Sequence, residues 1–164
     1  MVIDTQIIEL LQYRIQQEEI SSRLYEAMSR WLDFKGFAGA SKLWKKYSTE
    51  ELTHVGWVTE YLQNLNILPE TRVIGQPQMT FKSLPNVVAL SMKHEVEILA
   101  QCSELMNKCK EIGDNLTFTI AHKFVTEQQD EIGKLQLWID QLELFGDTGA
   151  SLMMIDEKMG SYAG

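Results

Sequence analysis

The chain has 164 residues, 45% of them hydrophobic and 23% charged, and a net charge of −8 at pH 7. This is enough chain for a single domain with a full core. It has no run of 18 apolar residues to cross a membrane, and no basic cluster to meet nucleic acid. The acidic balance favours a cationic cargo instead.

The N-terminal residues enter an amphipathic helix at once, without the basic and then apolar run of a signal peptide, so a cytoplasmic location is expected. This helix, α1, is predicted over about 4–33. Its apolar seam reads Ile7, Leu11, Ile15, Glu18, Ser22, Tyr25, Met28, Leu32, with one carboxylate at a core position. A turn at Lys35-Gly36 leads to α2, predicted over about 37–65. The α2 seam reads Ala40, Trp44, Tyr47, Glu51, His54, Val58, Tyr61, Leu65. Residues 66–84 carry Pro69, Gly75 and Pro77 and are far longer than a helix hairpin needs. Fully extended, they span about 60 Å, enough to run the length of a bundle and make α2 parallel to the next helix. That helix, α3, is predicted over about 85–112 and α4 over about 116–145, after a turn at Gly113-Asp114 with Asp114 or Asn115 as cap. The α3 seam contains Val88, Met92, Glu95, Leu99, Cys102, Met106, Cys109; the α4 seam contains Ala121, Phe124, Gln128, Glu131, Leu135, Trp138, Leu142, Phe145. A short α5 is predicted over about 148–160. Its Leu152, Met153, Ile155 and Met159 would form an odd exposed patch on a monomer, which places the segment between subunits.

Each long helix thus carries an acid where its stripe should be apolar. An unpaired buried charge costs several kcal/mol, so such an acid implies a partner or a metal. None of the four seams contains Lys or Arg. Heights agree as well. Glu18 and Glu51 lie about 17 and 16 residues from the first turn, and Glu95 and Glu131 about 18 and 17 from the second. At 1.5 Å per residue the acids of each pair meet at one level, roughly 25 Å from their turn. Two helices with a single Glu (Glu18, Glu95) and two with an i, i+3 pair (Glu51/His54, Gln128/Glu131) make the layout of a carboxylate-bridged di-iron site in a four-helix bundle. Carboxylate oxygens with one imidazole suit iron. Glu51 is placed to bridge two metals, Tyr25 to hydrogen-bond a ligand or lend an electron, and Gln128 to order water or peroxide. Glu50, Glu127 and Asp130 flank the seam and suggest a third, looser cation site, with the Lys123 charge nearby unfavourable to it. Cys102 and Cys109, about 10.5 Å apart along one helix, cannot pair and are expected to be reduced core residues. His94 and His122 are expected to be packing or polar-face residues.

Taken together, Glu18-x6-Tyr25, Glu50-Glu51-x-x-His54, Glu95 and Glu127-Gln128-x-x-Glu131 resemble the ferritins, most closely the bacterial non-haem ferritins, over nearly the whole chain. The resemblance implies an all-α, ferritin-like four-helix bundle with a long α2–α3 crossover and a short fifth helix. It implies a 24-subunit cage that oxidises Fe(II) with O2 or H2O2 and stores a ferric mineral. By position it implies a first iron on Glu18, Glu51 and His54, a second on Glu51, Glu95, Glu131 and Gln128, and a third on Glu50, Glu127, Asp130 and Glu131. This chain departs from the family pattern at Asp130, where Glu is usual, and at Lys123-Phe124, where many relatives have Trp-Tyr. Leu52 replaces the haem-ligating Met of bacterioferritin, and Gln128-x-x-Glu131 its second ExxH, so no haem is expected. A rubrerythrin-like peroxidase would have rubredoxin cysteines and a second ExxH. A DNA-protecting mini-ferritin would build its site between subunits and lack the fifth helix. A purely structural bundle would not bury these acids.

Overall fold

The computed structural model describes residues 3–164, which form five α-helices and, among the described residues, no strand. They are α1 (Thr5–Phe34), α2 (Ala38–Asn64), α3 (Leu84–Ile112), α4 (Asn115–Phe145) and α5 (Gly149–Ala163). Among the described residues no helix is long and apolar enough to cross a membrane. The starts follow from side-chain caps, which satisfy amide groups that the helix itself leaves free. Asp4 accepts from the Gln6 amide at 2.8 Å, Ser83 from Asn86 at 3.1 Å, and Asp114 from Thr117 at 2.9 Å. Helix α3 ends at Gly113, whose φ of +83° is costly for any residue with a Cβ.

Helices α1 and α2 form one antiparallel hairpin and α3 and α4 the other. Between α1 and α2 the backbones approach over serines that bond reciprocally to each other's carbonyls. Ser22 and Ser48 do so at 2.8 Å in both directions, and so do Ser29 and Ser41. The connection from α2 to α3 crosses the bundle along α1. Gln12 clamps it at Leu68 and Glu70, Gln16 donates to the Val73 carbonyl, and Phe81 packs edge-on against Trp31. The N-terminal ends of α2 and α3 therefore lie together, where Trp44 Nε1 donates to Ser91 Oγ at 3.0 Å. The two helices are parallel, as the length of the crossover requires.

The apolar core is in two parts. One contains Met28, Leu32, Leu43, Trp44, Leu84, Val88, Leu135 and Trp138. The other contains Ile7, Leu11, Ile15, Val58, Leu62, Ile98, Cys102 and Phe124. Between them in sequence, on all four long helices, lie the buried acids. Both cysteines are buried and free.

Helix α5 runs three residues beyond its expected end and turns inward. Ile155 and Met159 are buried and Leu152 is half-buried, all in the core part that contains Trp44 and Trp138. The expectation that its apolar residues pack between subunits is corrected to this extent: the chain's own bundle absorbs three of the four. Met153 and Met154 remain exposed. The docking is close. Asp156 of α5 accepts from the Ala40 amide at 2.8 Å and the Gly39 amide at 3.3 Å, capping α2, whose own N-cap residue Phe37 offers no side-chain bond. A Cβ on Gly39 would meet the Asp156 carbonyl oxygen at 1.9 Å. Gly39→Ala is therefore expected to lift α5 off the bundle, speeding proteolytic loss of residues 149–164 with little change in bundle helicity. Asp156→Ala, which removes the cap alone, is expected to cost about 1 kcal/mol in thermal or denaturant unfolding.

Candidate metal centre

Glu18, Glu51, His54, Glu95, Gln128 and Glu131 are all buried, none more than 6% exposed. The seams face inward around the acids, although Phe145 at the end of the α4 seam is exposed and Met92, Leu99 and Met106 of the α3 seam are half-buried, with Ile98 and Leu105 buried in their stead. Glu18, Glu51 and His54 converge on one point, their ligand atoms within 4.8 Å of one another. His54 Nδ1 lies 3.0 Å from Glu51 Oε2 and 3.4 Å from Glu18 Oε2. His54 also joins a second group with Glu127 and Glu131, its Nε2 being 3.6 Å from Glu127 Oε1. Its two nitrogens thus have different neighbours, which fixes the ring: Nδ1 toward the buried pair, Nε2 toward a carboxylate at the rim. Across the bundle, the Tyr25 hydroxyl and the Gln128 amide both donate to the Glu95 carboxylate, and Gln128 also donates to the Glu95 carbonyl at 3.1 Å.

Electrostatics show what the cluster lacks. Burial pushes the Glu51 carboxyl well above its ordinary range, more than the His54 hydrogen bond can offset, and the Glu18 charge adds to the rise. Glu95 is raised by burial against the opposing bonds from Tyr25 and Gln128. Glu131 is raised by burial although Lys134 pulls it down. Glu18 moves the other way: burial opposes its charge, but the His54 bond and the Arg14 guanidinium outweigh it and carry the carboxyl down. Burial also lifts the Tyr25 hydroxyl well up, with the Glu95 charge second. Burial thus holds three of these acids above their ordinary range, and a cation entering the site would offset the cost of their charge.

Two cations at this centre are absent from the seams read in the sequence. Arg14, 2% exposed, lies one turn before Glu18, with Nε 2.9 Å from Glu18 Oε1 but out of line for a hydrogen bond, so that neither atom has one. Its Nη1 donates to Gln101 at 3.0 Å and to Cys102 Sγ at 3.6 Å. Lys134 lies one turn after Glu131, with Nζ 3.1 Å from Glu131 Oε1 and 3.7 Å from Glu50 Oε2. Both were legible as i, i+4 and i, i+3 partners of a core acid, but each lies beside its seam rather than in it. Four buried carboxylates face Arg14, the half-buried Lys134 and His54, whose imidazole burial lowers but the Glu18 and Glu51 bonds and charges raise to about 10, so the buried acids still outnumber the cations.

The residues flanking the seam divide. Glu50 and Glu127 are half-buried and turn inward. Asp130 is exposed and is in neither ligand group. Lys123 turns away, its ammonium 3.7 Å from the Trp57 ring centre. Trp57, which the seam reading passed over, packs 4.6 Å from the His54 ring and 5.4 Å from Phe124. Its place one turn after His54 was the available signal. His94 accepts from or donates to Ser21 Oγ at 2.7 Å as a packing residue, and His122 is exposed. Leu52 is exposed on α2.

A family model for the ferritin-like domain matches residues 8–145. The chain belongs to the ferritin family. It is 30% identical to a "Probable bacterial non-heme ferritin-like protein" of Haemophilus influenzae, over 99% of this chain and 98% of that one. It is 29% identical to the "Bacterial non-heme ferritin" of Escherichia coli O6:H1, over 98% and 97%. Among solved structures it is similar in fold to an open-pore ferritin from the hyperthermophilic archaeon Archaeoglobus fulgidus, with a TM-score of 0.94 at 22% identity and 98% of each chain covered. Ferritin family and fold together support iron storage as the function of this chain.

Removing Arg14 leaves Glu18 buried without its guanidinium. Arg14→Met is expected to destabilise the metal-free protein by about 3–5 kcal/mol, read as a lower thermal midpoint. The deficit should shrink once the centre is saturated with Zn(II), because the metal then neutralises Glu18. An equal deficit with and without Zn(II) would place Arg14 outside the electrostatics of the site.

Proposed function

We propose that this ferritin oxidises Fe(II) at the buried carboxylate–histidine centre and stores the Fe(III) product inside a 24-subunit cage. The observation that carries the reading is the convergence of Glu18, Glu51 and His54 Nδ1 on one buried point, with Glu95 and Glu131 opposite and three of the acids raised by burial. Iron is the substrate. Hard carboxylate oxygens and one imidazole nitrogen suit Fe(II) and, more strongly, Fe(III). Glu18, Glu51 and His54 would hold one iron, and Glu51, Glu95 and Glu131 the other. Two irons give up one electron each, which matches a two-electron oxidant: O2 leaving as H2O2 with two protons, or H2O2 leaving as two waters with two protons.

The chain's own groups serve that exchange. Iron entering the layer would offset the cost of burying the charges of Glu51, Glu95 and Glu131. Glu127 faces His54 Nε2 and keeps Nδ1 turned to the iron. Tyr25 and Gln128 hold Glu95 by its two carboxylate oxygens, fixing the wall on which the second iron rests. The two apolar core parts on either side limit water to the layer of acids.

The single-domain, cage-forming reading accounts for the exposed apolar residues Phe34, Leu68, Val73 and Met79 on α1 and the crossover, which subunit contacts would cover. A rubrerythrin-like centre is disfavoured by the absence of a CxxC pair, and a mini-ferritin by a site that one bundle completes alone.

Glu51→Ala is expected to slow rapid Fe(II) oxidation by roughly 10³-fold, equivalent to about 4 kcal/mol, and His54→Ala by less, because Glu51 serves both irons. Stopped-flow absorbance after mixing with Fe(II) and air measures both, and wild-type rates in the two variants would overturn the assignment. Assembly is checked separately. Twenty-four chains of 18.9 kDa make a particle of about 450 kDa, and a protein that elutes as a monomer or dimer at all concentrations would refute the cage.

A further inference from the structure

The three acids flanking the metal centre read in sequence as a place for a third cation, yet in the fold two of them have other neighbours and the third is exposed. Glu127 faces His54 Nε2 at 3.6 Å. Asp130 is exposed. Glu50 Oε2 is cut off from water and makes no hydrogen bond; its nearest cation is the Lys134 ammonium, 3.7 Å away. The same ammonium donates to Glu131 Oε1 at 3.1 Å.

We propose that Lys134 is a tethered counter-cation that fills the place of a third metal, so that this ferritin binds two metals per subunit at its acid cluster rather than three. The proposal rests on the two-iron reading of Glu18, Glu51, His54, Glu95 and Glu131.

Lys134 and a third metal would compete for the same oxygen atoms and the same charge. A third cation on this flank needs Glu50 Oε2 and an oxygen of Glu131, and those are the two oxygens that Lys134 engages. Lys134 takes only one oxygen of Glu131, which leaves the other for the inner pair. Its ammonium is a compact point charge with three donors, held at high effective concentration by its own helix. A divalent ion among Glu50, Glu127 and Glu131 would sit about 4 Å from it, and like charges at that range in a half-buried setting repel strongly. The centre of competition is thus Lys134, one turn past Glu131, rather than the shortened Asp130 side chain or Lys123, whose charge rests on Trp57.

The test uses a redox-inert probe, Zn(II), with the assembled protein. Crystals of the wild type, Lys134→Leu and Lys134→Arg are equilibrated with Zn(II), and anomalous difference maps are measured at the zinc edge. Two peaks are expected in the wild type, at Glu18/Glu51/His54 and at Glu51/Glu95/Glu131. A third peak between Glu50, Glu127 and Glu131 is expected only in Lys134→Leu. Lys134→Arg, which keeps the charge, is expected to match the wild type. Lys134 is 38% exposed, and unchanged far-ultraviolet circular dichroism confirms that the variants fold. A third peak in the wild type would overturn the proposal, and so would its absence from Lys134→Leu when both inner peaks are present. Loss of the inner peaks in the wild type would instead overturn the two-metal centre, and the proposal with it.

Discussion

The constraint on which the rest of this structure depends is the burial of four carboxylates at one level of a helical bundle. Their desolvation works against folding, and neighbouring positive charge and hydrogen bonds offset it. The bundle answers with a layered arrangement. Apolar residues gather into two core parts, one above and one below the acids, and the polar groups of the middle layer satisfy one another. Tyr25 and Gln128 bind Glu95, His54 binds Glu51, and Arg14 stands beside Glu18. What remains is the cost of burying Glu51, Glu95 and Glu131, whose carboxyls burial raises. A protein that keeps such acids at its centre gives up stability for the capacity to take in cations.

The supporting architecture serves this layer. The reciprocal serine bonds of Ser22 with Ser48 and Ser29 with Ser41 hold α1 and α2 close, bringing Glu18 within reach of His54. The crossover, clamped by Gln12 and Gln16, sets α3 parallel to α2 and so places Glu95 opposite. Helix α5 closes the end of the bundle near Trp44 and Trp138, and through Asp156 supplies the cap that α2 lacks. The acids therefore owe their positions to contacts distant from them in sequence.

Much of this was legible beforehand for reasons particular to helices. The 3.6-residue period assigned Glu18, Glu51, His54, Glu95, Gln128 and Glu131 to buried faces, and distance from the two turns assigned them to one level. Gly36, Gly113 and Asp114 marked those turns. The period says less about residues at the edge of a stripe. Arg14 and Lys134 lie just outside their seams and have long stems, which reach inward or outward according to what the neighbouring helices offer. The same holds for Trp57, Glu127 and Asp130, whose side chains diverge although they lie within one or two turns of the centre.

The sequence alone determined the five helices, the direction of the crossover and the level of the acids, because each follows from local geometry: rise per residue, stripe period, turn chemistry and chain length. The tertiary structure alone decided which cation meets which acid. Pairing at 3 Å depends on how two helices are rotated and spaced, and a seam pattern fixes neither to that accuracy. It likewise decided where α5 settles. An amphipathic segment of fifteen residues fits any apolar surface, and the close approach of Gly39 to Asp156 and Gly160 selected the one belonging to its own chain.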